Sequence, residues 1–189
     1  MNSLAKLFGS PARLKTIRLF VFNRSEAFSP AEIAQRTKLS KEVVRRELVE
    51  LLASGLIRRK GAGIATQYHT NQSFEHIEAL DAFVRDTTSV RPKHIVEALR
   101  KAGALRLVAL SGLFMNITES QIDLLIVGDR LNERALASAI RSLEAELGRE
   151  IRYASFATED FRYRFGVYDR LLRDVFDYPH RLLVDKIGL

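Results

Sequence analysis

The chain has 189 residues, 47% of them apolar, enough to pack one large core or two small ones and too many for a disordered chain. It holds no cysteine, which excludes disulfides, zinc–thiolate centres and thiol redox chemistry. Its net charge is +7, and the whole excess lies early: residues 1–70 carry 13 Lys and Arg against 5 Asp and Glu, residues 71–189 carry 17 against 18.

In "SPARLKTIRLFVFN" Ser10 is a candidate helix cap, Pro11 takes the first helical position, and Leu14, Ile17, Phe20 and Val21 fall on one face. "SPAEIAQR" repeats the signal: Ser29 caps, Pro30 follows, and Glu32 completes a capping box, with Ile33 supplying the apolar contact. A third helix, "LSKEVVRRELVELLASG", has Ser40 as cap, Val44, Leu48, Leu51 and Leu52 as its inward face, and Gly55 at the left-handed end. Lys38 and Leu39 alone link the last two helices, a helix-turn-helix spacing with Leu39 tucked inward. "LIRRKGAGIATQYHT" then reads as a β-hairpin, with Arg58, Arg59 and Lys60 approaching a Gly-rich turn at Gly61 to Gly63 and a second strand ending near Tyr68.

The uneven charge is the footprint of a phosphate-binding module joined to a near-neutral one, although a solvated basic surface gives the same count. The order of elements resembles the winged helix-turn-helix of ArsR/MarR-like regulators over about residues 10–70, and "EIAQRTKLSKEVVRRELVELLASGLIRRK" carries the likeness. The resemblance implies that the third helix enters the major groove of double-stranded DNA and that the hairpin touches backbone or minor groove. By position, Lys41, Glu42, Val43, Arg45 and Arg46 would then face the groove, beside the cap Ser40. The physics agrees: residues 41, 42, 45 and 46 avoid the inward face, and a helix N-terminus offers amides to phosphate. Arg45 or Arg46 suits bidentate reading of guanine; Lys41, Arg58, Arg59 and Lys60 suit phosphates. The alternative is that Arg45 and Arg46 are ordinary exposed charges partnered by Glu42, Glu47 or Glu50. Metal-sensing members of this class use Cys or clustered His; here Cys is absent and His69, His76, His94 and His180 are scattered, so no metal is expected.

"SFEHIEALDAFVRDTT" reads as a helix with Phe74, Ile77, Phe83 and Val84 along one side, suited to bridge two domains or to contact a second copy. "VRPKHIVEALRKAG" follows, opened by Pro92 and closed by Gly103. The reading divides the chain into a first domain at 1–72, a connecting helix at 73–92 and a second domain at 93–189. In the second domain "LRLVALS", "IDLLIVG" and "EIRYASFA" are strands, "GLFMNITES" a loop and "LNERALASAIRSLEAELG" an amphipathic helix. "TEDFRYRF" and "YDRLLRDVF" read as helices and "HRLLVD" as a last apolar run, so a small mixed sheet is expected.

This arrangement resembles the minimal nucleotidyltransferase domain of the DNA-polymerase-β-like superfamily over about residues 93–185, on "LVALSGLFMNITESQIDLLIVGD" and "REIRYASF". In that family a Gly-Ser pair starts a phosphate-contacting helix, an Asp-x-Asp pair binds divalent metal, and a third strand brings another acid. Here the order is Ser111-Gly112, a second Gly is missing although Asn116 lies nearby, Gln121 replaces the first Asp, and Arg152 aligns with the third acid. Only Asp123 is kept, and magnesium beside a triphosphate needs carboxylate charge. The likeness therefore implies a remnant without catalytic residues or metal. Ser111, Gly112, Gln121, Asp123 and Arg152 mark its candidate nucleotide site, where Arg152 and nearby amides would meet phosphate. Read from the residues alone, Asp123 is a strand-end acid capping a loop and Ser111-Gly112 a tight turn.

"FRYRFGVYDRLLRDVF" interleaves aromatics with Arg, a pattern that stacks single-stranded nucleic acid or, more commonly, forms a packing face or protein interface. With no signal-like start and no apolar run near ~18 residues, a cytoplasmic protein without membrane segments is expected. The whole reads as an α+β chain, a winged helix-turn-helix followed by a small mixed-sheet α/β nucleotidyltransferase-like domain. Its expected role is a cofactor-free, homodimeric transcriptional regulator of double-stranded DNA, with the second domain serving dimerisation, ligand sensing of a nucleotide, or binding of a protein partner. The alternatives are an active metal-dependent nucleotidyltransferase and an antitoxin-like protein that neutralises a partner.

Overall fold

Ser10, Ser29 and Ser40 each begin a helix in the computed structural model, which describes residues 3–88, 90–115, 117 and 120–189. The chain is of mixed α+β class and divides into two units, residues 1–90 with 144–150, and residues 91–143 with 151–189. No described helix is long and apolar enough to cross a membrane.

The first unit runs α1 (Ser3–Leu7), α2 (Pro11–Phe22), β1 (Ala27–Phe28), α3 (Pro30–Thr37), α4 (Lys41–Ala53), β2 (Ile57–Lys60), β3 (Gln67–Thr70) and α5 (Ile77–Thr87). The Ser29 hydroxyl accepts from the Glu32 amide at 3.3 Å while the Glu32 carboxylate accepts from the Ser29 amide at 2.7 Å, a complete capping box. Such caps stabilise a helix by about 1 kcal/mol each. Between α3 and α4, Lys38 takes the left-handed conformation at φ 54°, and half-buried Leu39 packs against the core. That core gathers Phe20, Val21, Ile33, Val44, Leu48 and Ile57, each worth about 1.5–3 kcal/mol on burial.

The three strands pair antiparallel in the order β1-β3-β2, with Ala27 opposite His69 and Lys60 opposite Gln67. β1 and α1 were not expected from the sequence, and both are too short to show periodicity. α5 begins at Ile77 rather than Ser73, because Asn71 and Phe74 instead accept from the amides of Phe74 and Ile77 in tight turns. Its Phe83 is more exposed than an inward position implies and lies 6.2 Å, ring to ring, from Phe8. Residues 144–150 join this unit through the carbonyls of Glu146 and Gly148, which accept from Arg18 Nη1 and Asn23 Nδ2, each at 2.8 Å.

The second unit contains α6 (Pro92–Arg100), β4 (Ala104–Leu110), β5 (Leu124–Asp129), the greater part of α7 (Glu133–Leu147), β6 (Tyr153–Phe156), α8 (Thr158–Gly166), α9 (Arg170–Phe176) and β7 (Arg181–Asp185). The sheet order is β6-β5-β4-β7: β5 and β6 run parallel, the other pairs antiparallel, with bulges in both β4 pairings. β4 and β5 form the centre, which is why "LLIV" in β5 is apolar without alternation and buried throughout. Leu107, Leu125 and Val127 pack there against Phe161 of α8 and Leu172 and Val175 of α9. The segment read as a loop after β4 contains one 3₁₀ turn, Gly112–Met115, while Asn116 lies outside the described residues.

Candidate functional site

α4 presents two chemically different sides. Val44, Leu48 and Leu51 face the core, while Lys41, Glu42, Arg45 and Arg46 are exposed, Val43 is half-buried, and Ser40 holds the start by accepting from the Val43 amide at 3.3 Å. Glu47 is unexpectedly 1% exposed. Its carboxylate accepts from Arg13 Nε at 2.9 Å and from the Ser10 hydroxyl at 3.2 Å, which ties α4 to the start of α2. The spacing 44–47–48–51 already places Glu47 within the apolar stripe, so this anchor was readable in the sequence.

The exposed cations fall into two groups. Arg46 has its Nη2 3.5 Å from the Glu47 carboxylate, one of the local partners weighed for it. Lys41, Arg45, Arg58, Arg59 and Lys60 make no ion pair or side-chain hydrogen bond with any described residue. On β2, an edge strand, alternation puts Arg58 and Lys60 on one face and Arg59 on the other. The hairpin tip is tight: Gly61 has φ 78°, and a Cβ there would sit 2.5 Å from the Ala65 carbonyl oxygen. Ile64, at the tip, is fully exposed.

In the second unit the residues singled out between β4 and β6 come together around Asp123, which is 2% exposed. Its Oδ1 accepts from the Leu113 amide at 2.8 Å and from Arg152 Nη2 at 2.8 Å; its Oδ2 accepts from the Arg152 amide at 2.9 Å and Arg152 Nε at 3.1 Å. Burial pushes this carboxyl up, but the Arg152 side chain, the two amides and the Arg152 charge outweigh it and hold the group below the ordinary carboxylate range. Gly112, at φ 41°, is required here, because a Cβ would strike Asp123 Oδ1 and stand 2.9 Å from the Ile122 carbonyl oxygen. Ser111 is completely buried, its amide donating to the Asp123 carbonyl at 2.9 Å and its hydroxyl 3.2 Å from that of Ser120.

Gln121 is exposed and its amide donates to Asp174 of α9 at 2.7 Å; the Ser120 hydroxyl donates to the same carboxylate at 3.1 Å. Sequence reasoning missed Asp174, since nothing local in α9 signals a partner 53 residues away. Both oxygens of Asp123 thus face hydrogen-bond donors, and the Arg152 guanidinium lies against both. The residues present do not fit a divalent ion, and among the described residues no three His, Asp or Glu side chains cluster as one requires. The same pairing engages the Leu113 amide and the Nε–Nη2 edge of the Arg152 guanidinium.

Compared with family models, with curated proteins and with solved structures, the chain matches none.

Proposed function

We propose that the protein is a DNA-binding transcriptional regulator: its first unit acts as a winged helix-turn-helix on double-stranded DNA. Its second unit, a non-catalytic nucleotidyltransferase-like domain, serves dimerisation and ligand or partner contact. The observation that carries this reading is the set of five exposed cations, Lys41, Arg45, Arg58, Arg59 and Lys60, without an acidic partner among the described residues. A cation that gains nothing from its own fold is free to replace the counterions of a phosphate backbone. α4 offers Arg45 to a guanine edge in the major groove while the hairpin holds flanking phosphates. A homodimer would place two such helices about 34 Å apart, one turn of duplex.

The test is fluorescence anisotropy of duplexes selected from a random pool, titrated at rising salt. Binding should weaken linearly in log–log form. The combined Arg45→Ala, Arg58→Ala and Lys60→Ala chain should bind more weakly and, through its two lost phosphate contacts, flatten that line by about two released ions. An unchanged affinity and slope would remove the assigned surface. Metal-dependent nucleotidyl transfer is the rival; labelled nucleotide transfer with magnesium, abolished by Asp123→Ala, would establish it instead.

A further inference from the structure

A cleft of about 370 Å³ opens in the second unit between α6 and the edge strand β7. α6 contributes Lys93, Val96, Glu97 and Arg100, which at spacings of three, four and seven residues lie along one stripe of the helix. β7 contributes Arg181 and Leu183. Lys93, Arg100 and Arg181 are exposed and make no ion pair or side-chain hydrogen bond with any described residue, nor does Glu97. Three like charges gathered on one cleft repel one another, and the single carboxylate of Glu97 offsets only one of them. The half-buried Val96 and Leu183 add apolar surface to the same cleft.

We infer that this cleft binds a small organic phosphate monoester carrying a flat or apolar body. Three cations against one carboxylate leave a net of two positive charges, the match for a monoester dianion rather than for a monocarboxylate. The guanidinium forks of Arg100 and Arg181 suit phosphate oxygens, and the volume suits a ligand of nucleoside size. The site lies apart from the loop around Asp123, where the sequence placed a nucleotide. It does not rest on the DNA reading.

Isothermal titration of the full chain with AMP as probe tests it, with adenosine, inorganic phosphate and salicylate as comparison arms. AMP should bind, adenosine and salicylate should each bind at least roughly tenfold more weakly, and Arg100→Ala and Arg181→Ala should each cost AMP roughly tenfold. Inorganic phosphate should also bind more weakly than AMP. These side chains are exposed, so unchanged melting curves should accompany the loss. Silence toward AMP at millimolar concentration, indifference to both substitutions, or salicylate or inorganic phosphate binding as well as AMP would each overturn the assignment. If AMP is silent and Arg181→Ala weakens duplex DNA binding, the cleft is a polynucleotide contact and the inference fails, leaving the role of α4 intact.

Discussion

Arg152 grips both oxygens of Asp123, Nη2 standing 2.8 Å from Oδ1 and Nε 3.1 Å from Oδ2. The two residues are unequal, because Asp123 is buried while the Arg152 side chain is 50% exposed. Asp123→Ala would orphan the Leu113 and Arg152 amides together with the guanidinium, costing about 2–4 kcal/mol. Arg152→Ala leaves both amides on the carboxylate and should cost about 1–2 kcal/mol after allowance for solvent. Urea denaturation of the two variants decides it; a larger loss for Arg152→Ala would reverse the assigned hierarchy.

The same carboxylate makes stability depend on pH. Its folded-state value lies below the ordinary 3.8, so the unfolded chain takes up the proton first as pH falls. The contribution is complete above the ordinary value and disappears as pH drops through the folded one. Urea midpoints measured between about pH 5 and pH 2 should fall less steeply in Asp123→Asn than in the parent chain. Parallel profiles would mean that other carboxylates set the acid limb.

Gly112→Ala places a methyl against Asp123 Oδ1 in a backbone conformation that L residues rarely adopt. The contact is with a side chain fixed by four hydrogen bonds, so it cannot yield cheaply. A loss above about 2 kcal/mol is expected. Gly63→Ala is the control, since its Cβ would meet open space and bears only the strain of φ 59°. Equal losses at the two positions would show that the Asp123 contact adds nothing.

Arg45 and Arg46 are neighbours of like charge and different circumstance. Arg46 lies near Glu47, whereas Arg45 has no acidic partner among the described residues. On the proposed function, Arg45→Ala should weaken binding to a selected duplex by about 1–3 kcal/mol and relax preference at one base pair. Arg46→Ala should do less. Competition binding against single-base variants of the site measures both, and a larger effect at Arg46 would move the reading head by one residue.

The helical half of the first unit was readable because its signals are local. Serine, proline and glutamate within four residues define the start of α3, and all three act as expected. β1 was not readable: two residues form a strand only because β3 lies alongside, and no window that short carries a period. Around Asp123 the sequence supplied the buried strand and the loop cap, both consequences of local pattern. The resemblance already sets Arg152, just before β6, beside Asp123, but its ion pair with that carboxylate and the reach of Asp174 from α9 appear only in the folded sheet.

Ile64 stands clear of its own protein at the hairpin tip, so its side chain carries no packing duty. Since the chain has no cysteine, Ile64→Cys would create a single thiol, open to attachment of one fluorophore at one known place. The hairpin is thereby a ready-made reporter: whatever approaches the tip would announce itself as a change of colour or brightness, without a residue of the core being touched.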